Sequence, residues 1–337
     1  MNLANHLGRF SWALAAKVLP LIYGLTLVVV LIPSLPVEQH GHYAIVFNLF
    51  LFLTFINKSL VLNPMIRFAA VPEDFEGTVR TGFSLSLLFY AFTGSVIWLA
   101  APIPAAMLRV PAAEIRLVTL LLAAIFLREF GFCVQQTRFR TARIFIIEAL
   151  YYLGSAGGFI LFAISGKLTT AEIALEVNLA AAGASSLTAL LFGFHGARIW
   201  GRIDPGAMVR LLKYGVVTLW IGLAGSLSFG ADVLLLAGFY TPREVAIYNG
   251  AKAVYRFVSS AIQAVGMLVM PYASRLKGQA RTGELTGIFE KTVGYTTVVL
   301  VATVLAGWVA AGPIYDLLLG GAYAASAPIL RLLIVAA

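Results

Sequence analysis

Nine charged residues stand inside long apolar runs: Lys17, Lys58, Arg128, Glu129, Glu148, Glu176, Asp232, Lys252 and Arg256. Hydrocarbon does not solvate a charge, so each must face a cavity, water or a partner. Five are basic and four acidic, a slight lean toward an anionic substrate. Arg and Lys in such positions bind anionic groups through charge-assisted hydrogen bonds. Arg128, Lys252, Arg256, Lys17 and Lys58 are therefore the candidates to line a substrate cavity. Glu129 and Asp232 are the candidates for ion coupling, because a carboxylate in hydrocarbon needs a proton or a cation.

Spacing sharpens this set. Lys252 and Arg256 are four apart and share one helix face, which Ser259 or Ser260 and Gln263 continue. Arg128 and Gln135 share a face of another run, with Glu129 and Gln136 beside it. Such stripes suit a water-filled cavity through a helical bundle. Structural readings stand beside the functional one. Asp232, Lys252 and Arg256 fall at similar depth and can neutralise one another, Lys17 and Lys58 can snorkel to an interface, and Glu148 and Glu176 lie near run ends, where interfacial anchors sit.

Covalent catalysis has no such constellation. The chain lacks a phosphate-binding Gly-rich loop with Lys, a Gly-x-Ser-x-Gly elbow, a His-Glu-x-x-His pair and a Cys-x-x-Cys pair. Its single cysteine, Cys133, allows neither an internal disulfide nor a Cys-based metal centre. The four histidines lie in or beside expected loops, and His40 and His42 flank Gly41 in what reads as a solvated turn. The sequence points to no enzyme, cofactor or metal.

The elements that position these residues follow from composition. Hydrophobic residues make up 60% of 337, charged ones 12%, and mean hydropathy is +0.91. A soluble domain carries about 25% charged residues, so most of the outer surface must face lipid. Apolar runs approaching the ~20 residues of a spanning helix lie at Phe10–Ile32, Gly41–Ile66, Thr81–Ala101, Ile115–Thr137, Ile144–Ser165, Ile173–Phe194, Leu211–Ala237, Val245–Met270 and Thr292–Ala311. A tenth begins at Ala325 and reaches Ala337, short of a full crossing. The fold class expected is all-α integral membrane, a polytopic bundle of about ten spans.

The basic residues sort by loop. One set holds Arg67, Arg80, Arg138, Arg140, Arg143, Arg198, Arg202, Arg210, Lys213, Arg275, Lys277 and Arg281; the alternating set holds only Arg109, Lys167 and Arg243. By the positive-inside rule the first set and the N-terminus are cytoplasmic. The net charge of +9 is thereby explained by membrane orientation rather than nucleic-acid binding. The N-terminal run is too long for a signal-peptide core, ~7–15 residues, and reads as the first span.

A repeat is also visible. Pro36 and Pro242 stand 206 apart, Tyr43 and Tyr248 205, Pro64 and Pro271 207, Arg67 and Arg275 208. Six spans separate the copies, so their orientation is the same. That implies two parallel six-helix lobes, a transporter plan with the site between halves. The N-terminal lobe would cover residues 1–200 and an incomplete second lobe residues 201–337.

Pro36-x-Glu38-x-x-Gly41-x-Tyr43, then Asn63-Pro64-x-x-Arg67, resembles the first helical pair of the polysaccharide (oligosaccharide–lipid) flippases. The stretch from Asp232 through Pro242, Glu244, Val245 and Tyr248 to Ala251 resembles their seventh and eighth helices, with Ala246 in place of the usual Gly. Tyr323, Pro328, Leu330, Arg331 and Leu333 resemble their tenth. The resemblance implies a flippase of the superfamily that also holds the drug/cation antiporters, working by alternating access in a bacterial inner membrane. Its implied partner is an undecaprenyl-pyrophosphate-linked oligosaccharide for surface polysaccharide, with membrane lipids and the polysaccharide polymerase machinery as further partners and a proton or sodium gradient as driving force. The cationic residues would attract the pyrophosphate. A drug/cation antiporter is the alternative.

Overall fold

The computed structural model describes residues 3–193, 199, 201–226, 230–256 and 321–335, with 294, 297–298, 301–302, 304–306, 308–309, 311–313 and 315. Among these there is no strand. Seven helices are long and apolar enough to cross a membrane: α1 (Leu14–Ser34), α2 (Val37–Phe68), α3 (Phe75–Ala100), α4 (Ala112–Thr137), α5 (Thr141–Ile164), α6 (Ala171–Phe192) and α7 (Pro205–Leu223). The first six match the expected spans to within a turn or two, because helices run past their apolar cores into the headgroup zone. The seventh begins earlier than expected, at Pro205, and is described to Ser226; Asp232–Phe239 are labelled α8. Residues 242–256 form α9, at the start of the expected eighth span; Ser259, Ser260 and Gln263 lie outside the described residues. α10 is Ser326–Val335.

Two prolines shape the first pair. A π-helical turn, Leu27–Leu31, ends two residues before Pro33, and another, Lys58–Leu62, ends two residues before Pro64. Proline has no N–H and its ring clashes with the carbonyl four residues back, so the helix widens ahead of it. Lipid offers no water to the loosened carbonyls. Hydroxyls serve instead: Ser34 donates to Val30 O at 2.7 Å, and Thr218 of α7 donates to Ser59 O at 2.6 Å. Leu60 O, which Pro64 cannot pair, lies so close to α7 that a Cβ on Gly215 would stand 2.0 Å from it. Only glycine permits this crossing.

α6 packs on α4 and α5 through small residues. A Cβ on Gly131 would meet Ala189 Cβ at 2.7 Å, and one on Gly158 would meet Val177 Cγ1 at 2.5 Å. Gly154 of α5 likewise faces Ala181 of α6, whose Cβ would stand 3.5 Å from a Cβ there; small residues in lipid bring backbones together.

The two repeated turns touch. A Cβ on Gly41 would lie 1.9 Å from Pro242 O. Thr241 and Glu244 form a capping box ahead of α9: Thr241 N–H donates to Glu244 Oε2 at 2.8 Å, and Glu244 N–H donates to Thr241 Oγ1 at 3.4 Å. These bonds hold the Glu244 carboxyl below the usual carboxylate range.

The chain divides into two compact units, Met1–Ala246 and Ile247–Ala337. The first contains α1–α8. In the second, Ser326 Oγ donates to Ile247 O at 2.7 Å, fixing α9 against α10, and Tyr315 OH donates to Gly250 O at 3.4 Å.

Candidate functional site

Three of the expected residues meet inside the first unit. Arg128 and Glu129 sit past the middle of α4 and Lys58 opens the π turn of α2. Lys58 Nζ donates to Glu129 Oε2 at 3.3 Å, Arg128 Nη1 donates to Glu129 Oε1, and Arg128 Nη2 donates to Glu148 Oε1 of α5 at 2.6 Å. Two cations are balanced against two carboxylates. The Arg128 residue is only 4% exposed, whereas the Lys58 side chain is 40% exposed and stands at the edge of the cluster.

Two tyrosines of α5 complete the arrangement. The Arg128 guanidinium carbon lies 4.3 Å from the Tyr151 ring centroid and 5.5 Å from that of Tyr152. Guanidinium planes stack on aromatic faces, and burial strengthens the attraction. Arg128 Nε is buried with no hydrogen-bond partner among the described residues. A buried N–H left unpaired costs free energy unless something accepts from it, so the cluster is complete for its carboxylates but leaves a donor available to a further acceptor. The backbone position is fixed by α6: Arg128 N–H donates to Ser186 Oγ at 3.0 Å, and Ser186 Oγ in turn donates to Ala124 O.

Beside this ionic group lies a neutral one. Tyr23 OH donates to Asn178 Oδ1 at 3.0 Å, Asn178 Nδ2 donates to Tyr43 OH at 3.1 Å, and the two hydroxyls lie 3.1 Å apart. With Tyr43 donating to Tyr23, the ring of bonds closes. Tyr23 and Tyr151 rings, 6.4 Å apart, join the two groups.

Several sequence expectations change. Glu148 is not an interfacial anchor: α5 turns it inward onto Arg128. Gln135 does not continue the Arg128 stripe into a cavity. It is buried, and its Nε2 donates to Phe192 O at 3.0 Å, where Arg143 Nη1 also donates at 2.8 Å, closing the end of α6. His40 and His42 do not lie in a solvated turn. α2 starts at Val37, which carries both into its first turns; they are 1% and 8% exposed, and His42 Nδ1 lies 3.3 Å from Glu114 Oε1 of α4. Among the described residues no group of three or more His, Cys, Asp or Glu is placed to hold a metal.

The remaining candidates lie elsewhere. Lys17 is exposed on α1 and makes no ion pair among the described residues. Asp232 opens α8, its Oδ1 accepting from Val233 N–H at 2.9 Å. Lys252 and Arg256 lie on α9 in the second unit, with Lys252 2% exposed. Glu176 is exposed near the start of α6, as expected of an interfacial residue.

The seven long apolar helices define a multi-pass helical membrane protein whose fold is that seen in solved MATE structures. A structure titled as the inward-facing conformation of a multidrug resistance MATE family transporter of the MOP superfamily superposes with a TM-score of 0.71 at 13% identity, over 94% of this chain and 76% of that one. A MATE structure in complex with MaL6 superposes with a TM-score of 0.57 at 16% identity, over 96% and 74%. No curated protein matches the sequence. The model of the family described as polysaccharide biosynthesis protein matches residues 34–328, and the chain belongs to that family.

Proposed function

We propose that the protein flips an undecaprenyl-pyrophosphate-linked oligosaccharide across the bacterial inner membrane by alternating access, for surface polysaccharide synthesis. Residues 1–200 form one lobe of the transporter and residues from 201 onward belong to the second, with the N-terminus cytoplasmic. The observation that carries this reading is Arg128, a buried guanidinium stacked on Tyr151 and Tyr152 with an unpartnered Nε. Family membership in polysaccharide biosynthesis and the MATE-like fold support it.

The mechanism is an exchange of partners. A pyrophosphate offers acceptor oxygens that match the guanidinium fork, as a carboxylate does. On entry it takes Arg128 and Lys58 from Glu129 and Glu148. The released carboxylates then bind a proton or sodium ion, which links the gradient to substrate movement. Return of the carboxylates to Arg128 expels the pyrophosphate on the other side. Lys17, Lys252 and Arg256 supply further cations along the path, and Asp232 is a second coupling carboxylate.

The test is complementation of a strain deleted for this gene, read as surface polysaccharide at matched membrane levels of protein. Wild type restores it, and Arg128→Ala does not. Restoration by Arg128→Ala at wild-type level would overturn the role of this cluster. The second reading, a drug/cation antiporter, is favoured by the likeness to MATE structures and by the two carboxylates in the cluster. It requires that deletion change drug sensitivity while surface polysaccharide stays intact.

A further inference from the structure

Away from the charge cluster, α3 and α4 line an open groove of about 550 Å³ on the surface of the first unit. Its walls are two helical stripes. Leu87, Ala91, Gly94 and Trp98 recur at three- and four-residue spacing on α3, and Thr119, Ala123 and Phe126 on α4. The residues in its middle, Ala91, Gly94 and Ala123, are small. Thr119 Oγ1 donates to Gly94 O at 3.0 Å and holds the two helices together across it. The inner end is closed by aromatic rings, Tyr90 and Phe126, 5.7 Å apart.

The other end carries a charge. Arg116 continues the α4 stripe one turn beyond Thr119, and its guanidinium carbon lies 5.8 Å from the Trp98 ring centroid. Both side chains are exposed. Trp and Arg at a span end mark the membrane–water interface. The groove therefore begins at headgroup level with a cation and ends in aromatic rings at depth. From Leu87 to Trp98 the helix rises about 17 Å, close to the thickness of one leaflet, about 15 Å. Everything around the mouth is lipid-facing: Phe92, Leu99 and Leu120 are exposed.

From this geometry we infer that the α3–α4 groove binds one phospholipid of the leaflet opposite the Arg-rich loops, with an acyl chain between the helices and the phosphate on Arg116. The length favours an ordinary acyl chain over a polyprenyl tail, which would overrun one leaflet several times. The charge favours an anionic headgroup. Behind the groove floor, Phe83 of α3 packs on Phe126 at 5.3 Å and on Phe130 at 5.1 Å, both on the helix that carries Arg128. A bound chain thus buttresses the face of α4 opposite its α6 contacts. The inference does not depend on what the protein transports.

The experiment uses the full chain in nanodiscs doped with phosphatidylglycerol bearing a diazirine at the end of one acyl chain. After illumination, labelled peptides are mapped by mass spectrometry. Label concentrated on Leu87, Tyr90 and Phe126 is the expected result. Ala123→Phe, at an exposed position, fills the groove and abolishes that label. Arg116→Gln lowers phosphatidylglycerol labelling about fivefold, the value of one basic residue near a membrane surface, and leaves labelling by a diazirine diacylglycerol unchanged. Circular dichroism and elution volume verify that both variants fold. Arg116→Gln alters only the surface and decides the matter if Ala123→Phe does not fold. Label spread evenly over lipid-facing positions such as Leu161 and Leu191, indifferent to both changes, would overturn the inference. So would displacement of the label by undecaprenyl phosphate at concentrations where phosphatidylglycerol has no effect.

Discussion

Two polar groups share the interior of α1–α6, and they are built on opposite principles. The Tyr23–Tyr43–Asn178 ring is neutral and closed: each hydroxyl both donates and accepts, and Asn178 Nδ2 also reaches Ala174 O at 3.1 Å. The Lys58–Glu129–Arg128–Glu148 chain is charged and open, with Arg128 Nε unpartnered. A closed neutral network gains nothing from a ligand and rigidifies the helices it joins. An ionic chain can trade one anion for another at small net cost, because the desolvation of its cations has already been met. In the proposed mechanism the first group is structural and the second exchanges partners, although only 6.4 Å separates the Tyr23 and Tyr151 rings that connect them.

Breaking the ionic chain has the largest consequence. Arg128→Ala leaves Glu129 and Glu148 buried without their shared cation. We expect a loss of about 3–5 kcal/mol, as for one-sided removal from a buried ion pair, together with loss of transport. Adding Glu148→Gln to Arg128→Ala recovers part of the thermal stability and none of the transport. Thermal unfolding in detergent and surface polysaccharide together check both halves. Removing Asn178 is milder. Asn178→Leu leaves two buried hydroxyls to pair with each other and costs about 1–3 kcal/mol, with transport per folded molecule retained. Tyr43→Phe removes one acceptor from Asn178 Nδ2, which keeps Ala174 O, and costs about 1 kcal/mol. If either change abolished transport at normal protein levels, the division between the groups would fail.

The smallest effect lies outside both. Thr241→Ala opens the capping box and speeds amide exchange in the first turn of residues 242–256. Because Thr241 depresses the Glu244 pKa, the cap is intact at neutral pH and is lost as pH falls through that lowered value. The same exchange measurement, repeated on wild type in acid, shows this loss.

Much of the fold was legible because lipid leaves one cheap backbone solution, the apolar helix. Six spans follow from hydropathy alone. The candidate site was legible in membership rather than in pairing. Arg128, Glu129 and Lys58 stand out as charges in apolar runs, but helical periodicity fixes a face and not the neighbour that face meets. Glu148 therefore read as an anchor. His42 and Glu114, 72 residues apart, gave no local sign of their contact. The π turns did leave a signal: Pro64 inside an apolar run, and Pro33 directly after one, require loosened carbonyls just ahead of them. Arg116 escaped notice because it falls in the first turn of its span, counted neither with the loops nor with the interior.

The central claim is that a pyrophosphate competes with Glu129 and Glu148 for Arg128 and Lys58. The most direct measurement is the affinity of the purified full chain for undecaprenyl pyrophosphate, compared among wild type, Arg128→Gln, Glu129→Gln and Glu148→Gln. Competition predicts opposite signs: weaker binding in Arg128→Gln and tighter binding in either carboxylate variant. Unchanged affinity in Arg128→Gln, or weaker binding in both carboxylate variants, would contradict it.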